Sequence, residues 1–331
     1  MLDIIVPHYQ EPWETGSKFF AMLDLQRGIN FDDIHVIVVQ DGEEGKLPDE
    51  HFRSRPYTVD YLVIPHGGVS AARNAGLDFA RSEWVMFCDF DDTFANVYAL
   101  RDILNVLPAP GYDMLYVDFI AEDKMKDGSM QYHPRAQNVV FVHGKLWRRQ
   151  WLISHDVKFE TDLTFNEDSA FCTTINAMMD YTHTGRIETS APAYVWCYNE
   201  NSATTTPGNR GKALRGLYER NKKICEIFRQ KMPYRQYTAM IARTVWDTYH
   251  ALNVEELTPE LTEMLEDFKG WYRANKALYL MADEESMRET YEISRAEHTR
   301  GDQEEEARWA VDHVSKFRED ISLEEWLKGV E

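Results

Sequence analysis

Ser82-Glu83-Trp84-Val85-Met86-Phe87-Cys88-Asp89-Phe90-Asp91-Asp92-Thr93 sets an apolar run, Trp84 to Cys88, directly ahead of three carboxylates in four residues. A short, uninterrupted apolar run reads as a buried strand, and acids at its carboxyl end stand where an open α/β sheet meets its ligand crevice. Crowded carboxylates raise one another's pKa unless a cation sits among them, and clustered oxygen donors suit a hard ion such as Mg²⁺ or Mn²⁺. Asp91, Asp89 and Asp92 are therefore candidate metal ligands. A plainer reading makes Asp92 or Thr93 the N-cap of a helix predicted over Phe94 to Leu107, which leaves Asp89 and Asp91 without a role.

Outward from that stretch, the chain alternates strands and helices. Leu2 to Pro7 is β-branched and apolar, reads as a strand that stops at Pro7, and delivers His8, Tyr9, Gln10 and Glu11 to its end. A helix is predicted from Trp13 to Arg27, stopped by Gly28. Ile34 to Val39 is a second strand ending in Gln40-Asp41-Gly42. Tyr61 to Ile64 is a third, followed by the glycine loop Pro65-His66-Gly67-Gly68 and a helix over Ser70 to Ala80. This order predicts a largely parallel, doubly wound sheet that gathers Tyr9, Asp41, Gly67 and Asp89 on one rim. A nucleotide suits such a rim: an aspartate accepts from a base N–H or a ribose hydroxyl, Tyr9 stacks on the base, and glycines let backbone approach phosphate. Arg73, one turn into its helix, opposes the macrodipole and wants an anionic partner, either phosphate or a carboxylate such as Asp89.

Composition bounds the partners. The 331 residues carry 44% hydrophobic and 13% aromatic side chains, enough for a sizeable core, with a formal net charge of -20. That charge argues against an extended nucleic-acid or anionic-membrane surface. Cys88, Cys172, Cys197 and Cys225 are scattered without CxxC spacing and read as reduced thiols. Met1 leads straight into a strand with no basic leader, and no apolar run approaches the roughly 18 residues of a membrane span, so a cytoplasmic protein is expected.

The segments Ile5-Val6-Pro7-His8-Tyr9-Gln10, Val39-Gln40-Asp41-Gly42, Ser70 to Leu77 and Phe87 to Asp92 resemble, in order and spacing, the successive signatures of family 2 glycosyltransferases with the GT-A fold. The resemblance implies that Asp41 reads the base, usually uracil, and that Asp89 and Asp91 hold the ribose and the metal bridging a nucleotide diphosphate. It places the donor, a UDP-sugar, against Pro7, Tyr9, Glu11, Asp41, Gly68, Arg73, Asp89 and Phe90, with Mn²⁺ or Mg²⁺ as cofactor. The chain departs from the family at Gln10, where Asn is commoner, at Gln40, where an acid is, and at Phe90, where a small residue is. Further on, Lys145-Leu146-Trp147-Arg148-Arg149 and then Glu167-Asp168 ahead of an apolar helix also resemble the family. There the aspartate is the catalytic base, so Asp168 is the candidate base and Glu167 its positioning neighbour; an ordinary acidic helix start is the simpler account. His143 is a further candidate metal ligand, and it equally suits contact with a diphosphate, with an acceptor, or a structural place. Tyr194 to Thr204 resembles the family's terminal aromatic segment, which folds over the donor diphosphate.

Between these, Tyr112 to Ile120 reads as a strand and Asp127-Gly128 as the turn of an edge hairpin. Thr204 to Gly211 has the composition of a linker. Beyond it, apolar residues recur at helical spacing: Leu214, Leu217, Ile224 and Phe228, then Ile241, Val245, Trp246 and Tyr249, then Leu261, Leu265, Phe268 and Tyr272. The expected division is a GT-A domain over 1–205 and an α-helical region over 206–331. The helical stripes pack on one another, on an acceptor, or on a second copy of the chain, and Asp302 to Glu306 reads as a solvated face. Two rival readings accompany the acids. Asp89-Phe90-Asp91-Asp92-Thr93 resembles the first motif of haloacid dehalogenase-type phosphatases, with Asp89 as nucleophile and Asp91 as acid, although those place it on the first strand. The other rival is an inactive sugar-nucleotide-binding protein.

Overall fold

A computed structural model describes residues 1–125, 127–135, 140–200, 210–252, 257–283 and 321–330. The chain divides into two compact units, Met1–Asp162 with Met179–Thr205, and Leu163–Met178 with Thr206–Glu331.

The first unit is built on a nine-stranded sheet. Its strands are β1 (Leu2–His8), β2 (Ile34–Asp41), β3 (Thr58–Ile64), β4 (Trp84–Phe87), β5 (Thr93–Phe94), β6 (Met114–Lys124), β7 (Met130–Arg135), β8 (Lys145–Arg148) and β9 (Arg186–Trp196). They run in the order β3-β2-β1-β4-β8-β6-β9-β5, with β7 paired to β6 as the expected hairpin. The first four are parallel, β8 is antiparallel to both β4 and β6, and β9 is parallel to β6. This is the mainly parallel GT-A arrangement expected from the sequence. Helices α1 (Trp13–Asp24), α2 (Gly68–Phe79), α3 (Ala99–Val106) and α4 (Arg149–Ser154) connect the strands.

Three local expectations are corrected. β1 does not stop at Pro7 but runs through it to His8, with Pro7 opposite Val39. Ile5 turns its carbonyl to the β4 side, where it accepts from Cys88, so Pro7 two residues later faces the same side beyond the last residue of β4, and its missing N–H breaks no ladder bond. α1 ends at Asp24, three residues before Arg27, whose N–H instead donates to the Val97 carbonyl. The helix predicted over Phe94 to Leu107 begins only at Ala99: Thr93 and Phe94 form a short strand against Val195 and Tyr194, and Phe94 is buried in the core.

The strand ends opposite the rim are held by polar groups that serve structure. Asp3, fully buried, accepts from the Arg81 N–H, the Ser82 N–H, the Ser82 hydroxyl and His35 Nδ1 at 2.6, 2.7, 2.7 and 2.9 Å. Nearby, Arg148 Nε lies 2.9 Å from Asp113, and Arg149 donates to the Ser82 carbonyl. The basic run of 145–149 thus begins as bracing for β4 and β8. Burial opposes the Asp3 charge, yet His35 and the Ser82 and Arg81 donors outweigh it and lower the Asp3 pKa from its usual 3.8. The Asp3 hydrogen bond, against burial, raises the His35 pKa above 6.5. Asp3 therefore contributes stability that is present above pH 3.8 and lost as pH falls through its lowered value. His35 contributes stability that is full below pH 6.5 and lost as pH rises through its raised value. Asp3→Ala, which orphans buried donors, is expected to cost about 3 kcal/mol near pH 5. The gap between the native chain and His35→Gln should narrow as denaturant titrations move above neutral pH; a gap independent of pH would contradict the assignment.

In the second unit, α5 (Glu167–Thr182) contributes its first turns, together with α6 (Arg210–Lys231), α7 (Tyr234–Leu252), α8 (Pro259–Leu280) and α9 (Ile321–Val330). The apolar stripes pack on one another: Tyr218, Val245, Trp246, Tyr249, Leu261, Met264, Phe268, Tyr272 and Leu327 form one buried cluster. Thr258 caps α8 through the Leu261 N–H. Arg210 and Gly211 of the expected linker instead open α6, while its residues 204–209 and the acidic run of 302–306 lie outside the described residues. Among those residues no helix is long and apolar enough to cross a membrane.

Candidate functional site

Parallel register brings the polar strand ends together. His8 stands opposite Gln40, Asp41 opposite Ile64, and Ile5 opposite Phe87, so the chain leaves β1, β2, β3 and β4 on one rim of the first unit. Both carboxylate oxygens of Asp41 are engaged by the glycine loop, accepting the N–H groups of Gly67 and Gly68 at 2.7 and 2.8 Å, and His66 Nδ1 lies 2.9 Å away. Gly68 adopts φ +85°, a conformation that favours glycine. The Tyr9 ring, exposed, stacks on His66 at 4.8 Å. Glu11 accepts the Tyr9 N–H at 2.7 Å and so shapes the turn that presents the ring. Tyr9, His66 and Asp41 form one ring-and-carboxylate platform.

The acids behind β4 occupy three different environments. Asp89 pairs with Arg73 at 3.0 Å, the carboxylate partner anticipated for that buried cation, which also lies over the Phe159 ring. Burial pushes the Asp89 pKa up, but the charge and hydrogen bond of Arg73 overcome it and the net shift is downward. Asp92 is fully buried: it accepts from the Tyr194 hydroxyl at 2.5 Å and from the Cys197 N–H at 2.8 Å, so it caps no helix. Burial and the charges of Asp89 and Asp91 raise its pKa well above the usual range. Asp91 accepts from Asn199 Nδ2 at 2.7 Å through one oxygen, and burial together with Asp89 raises its pKa. The Tyr194 hydroxyl also accepts the Asp89 N–H at 3.0 Å, fastening both ends of the acidic turn to β9.

His143 closes the group. It lies 3.9 Å from an oxygen of Asp89 and 3.9 Å from one of Asp92, inside a box of Phe119, Phe141, Tyr194 and Trp196. Burial lowers its pKa to about 4, so the ring is neutral, and its buried Nδ1 has no hydrogen-bond partner among the described residues. Donor atoms of Asp89, Asp92 and His143 come within 4.8 Å of one another. Three carboxylates, two of them with raised pKa values, and an orphaned neutral imidazole nitrogen fit a hard divalent cation. Asp91 stands beside this trio, with Asn199 on one oxygen and the Lys18 charge partly offsetting the effect of burial and Asp89.

Glu167 and Asp168 open α5, in the second unit. The chain reaches them through Asn166 at φ +63°, and Asp168 accepts the Ser169 N–H at 2.8 Å. Acids in this first turn complement the helix dipole as the plain account requires, and the same placement holds the Asp168 carboxylate in a fixed geometry.

A glycosyl transferase family 2 model matches residues 3–184, more than half of the chain. This chain belongs to that family. Among its relatives is the uncharacterized glycosyltransferase EpsJ of Bacillus subtilis (strain 168), 24% identical over 229 residues that cover 62% of this chain and 64% of EpsJ. The minor teichoic acid biosynthesis protein GgaB of the same organism is 35% identical over 108 residues, 30% of this chain and 12% of GgaB. The chain thus spans less than two thirds of either relative. Among solved structures, S. aureus TarS 1-349 in complex with UDP superposes with a TM-score of 0.61 at 16% identity, covering 96% of this chain and 91% of TarS 1-349, a likeness of fold. Family membership separates the chain from haloacid dehalogenase-type phosphatases.

Within this family member the departures from the family pattern have local causes. Gln40 is fully buried: its Oε1 faces His8 Nδ1 and the Tyr61 hydroxyl while its Nε2 donates to the Glu44 carbonyl, a donation that an ionised acid could not make. The departure is absorbed inside the protein rather than on the rim. Gln10, at φ +57°, donates to Glu44. Phe90 was expected against the donor; its ring is instead buried between His8, Trp13 and Phe20, in a notch left by Gly16, where a Cβ would lie 2.2 Å from the ring. What Phe90 can offer a ligand is its backbone. Sequence reasoning missed His66 as the partner of Asp41 and Tyr194 as the bridge between Asp89 and Asp92. His66 stood in the quoted glycine loop, whereas nothing local signals a tyrosine hydroxyl as the partner of an acid about a hundred residues earlier.

Proposed function

We propose that this family 2 glycosyltransferase is an inverting, metal-dependent enzyme that moves a sugar from a nucleotide diphosphate, a UDP-sugar, to an acceptor hydroxyl, of a glycan or of another hydroxyl-bearing molecule, with Asp168 as general base. The observation that carries the reading is the convergence, at the carboxyl ends of four parallel strands, of an aromatic platform, a carboxylate at the second strand and an acidic turn with an orphaned imidazole. The structural neighbour TarS has been solved with UDP and with UDP-GlcNAc.

In this scheme Tyr9 stacks on the base, Asp41 accepts from it, and Asp89, oriented by Arg73, accepts from the ribose. Asp91, with Asp89, Asp92 and His143 as the remaining donors, would hold Mn²⁺ or Mg²⁺. When bound, such an ion supplies positive charge against the departing diphosphate. Asp168 takes the proton of the acceptor hydroxyl as its oxygen forms a bond to the anomeric carbon. The bond from that carbon to the diphosphate oxygen breaks on the opposite face, and the configuration inverts. Glu167 positions Asp168 or the acceptor.

The test is a thermal-shift screen of UDP, GDP and their sugars with and without Mn²⁺. Ligand stabilisation grows as RT ln(1 + [L]/Kd), about 2.7 kcal/mol at a hundredfold excess, so the donor should stand out and should require the ion. If no nucleotide diphosphate or its sugar shifts the melting temperature in the presence of Mn²⁺, the reading is wrong.

A further inference from the structure

We infer that α6 of the helical region is a clamp that positions the first turn of α5, and that Arg220 is the residue through which it acts on Asp168. This inference rests on the reading of Asp168 as the base, and it gives the residues beyond the match to the family a part in the reaction.

Two independent contacts bracket the Glu167-Asp168 pair, both within the second unit. Arg220, 2% exposed, donates from Nη1 to the Ser169 hydroxyl at 2.5 Å, one residue after Asp168. Gly216, one turn earlier on the same face of α6, approaches the chain just before the pair: a Cβ there would lie 2.8 Å from Phe165 Cβ and 3.4 Å from Asn166 Nδ2. Only a residue without a side chain permits that approach. α6 therefore touches positions 165, 166 and 169 and fixes the turn that presents 167 and 168.

The clamp is itself anchored. Arg220 Nε donates to Asn221 Oδ1 at 3.0 Å, the fully buried Asn221 donates to Asp247 at 2.8 Å, and Arg243 lies 3.3 Å from the same carboxylate. A chain of polar contacts thus runs from α5 through α6 to α7, through a region whose burial makes each unsatisfied group costly. A guanidinium buried at the amino end of a helix also opposes the helix dipole. Its cost is met only if acidic groups stand near it, and the first turn of α5 carries two. Catalysis by a general base depends on geometry, and a displacement of about 1 Å is enough to lower turnover by about 10²-fold.

The experiment is a double-mutant cycle on the full chain with its donor, Mn²⁺ and acceptor. Arg220→Gln is expected to lower kcat by about ten- to a hundredfold while donor affinity by calorimetry and acceptor KM stay within about twofold. Ser169→Ala, which removes a single hydroxyl oxygen, should lower kcat in the same direction by a smaller factor, and it decides the matter if Arg220→Gln does not fold. In an Asp168→Asn background neither change should lower kcat further, because each acts through the carboxylate already removed. Undiminished turnover in Arg220→Gln, or in Ser169→Ala where Arg220→Gln does not fold, or an equal drop with and without Asp168, would overturn the clamp. Full turnover in Asp168→Asn alone would instead remove the base assignment, and the clamp's catalytic role with it.

Discussion

Asp168→Asn is expected to lower kcat by about 10²- to 10⁴-fold, the usual contribution of a positioned general base, while leaving donor affinity nearly unchanged. The substitution keeps one local contact. The asparagine carbonyl oxygen can still accept the Ser169 N–H that Asp168 now accepts at 2.8 Å, so the first turn of α5 keeps its local hydrogen bond. Loss of one negative charge in the turn beside the buried Arg220 also costs stability, so the melting temperature of the variant is measured beside its turnover. What disappears is the capacity to take a proton from the acceptor hydroxyl. Rapid-quench measurement of a single turnover separates this step from product release, and calorimetry with the nucleotide sugar checks that binding survives. A variant that keeps full turnover with the true acceptor removes Asp168 from the reaction and leaves it as the acidic start of a helix.

The sequence exposes those features of the molecule that depend on near neighbours. Four apolar runs each followed by polar residues mark the parallel strands and the rim: β1, β2 and β4 are largely buried and so mainly apolar, changing character at their ends, while the half-exposed edge strand β3 shows only through its apolar run 61–64. The Asp89-Arg73 pair was legible for the same reason: a cation in the first turns of a helix needs an anion, and the acidic turn follows the same helix. What stayed hidden is non-local. Phe94 reads as the start of a helix, yet it is drawn into a strand by Tyr194, and Asp92 reads as a cap, yet it serves the Tyr194 hydroxyl and the Cys197 N–H. Phe90 reads as part of a ligand-binding motif, yet its ring fills the space beside Gly16. The first turn of α5 reads as a continuation of the first domain, yet it groups with α6, whose Arg220 lies 51 residues further along the chain. In each case a residue type was read correctly and its partner, far away in sequence, decided what it does.

Asp91→Asn is expected to weaken Mn²⁺-dependent binding of the nucleotide sugar by at least about a hundredfold, equivalent to about 2.7 kcal/mol, with a much smaller effect on binding of the nucleotide alone without metal. Among the three acids the choice falls on Asp91 for a physical reason. Asp92 is fully buried, with the Tyr194 hydroxyl and the Cys197 N–H on its two oxygens, and Asp89 shares its charge with Arg73. Asp91 gives one oxygen to a neutral amide, Asn199, and keeps a charge that burial and Asp89 make costly. That cost is the driving force for taking up a cation, since an ion placed among the carboxylates relieves their repulsion and the raised pKa values together. The sign of the pH dependence follows: protons and the ion compete for the same oxygens, so Mn²⁺-dependent donor binding should weaken as pH falls towards the raised Asp91 value, and Asp91→Asn should flatten that dependence. The amide keeps the shape of the side chain and its contact with Asn199 through the carbonyl oxygen, so circular dichroism and the melting temperature without ligand should change little. Calorimetric titrations of metal and nucleotide sugar across pH read out both effects. Unchanged affinity and an unchanged pH profile in Asp91→Asn would place the ion, and the diphosphate it serves, on other groups.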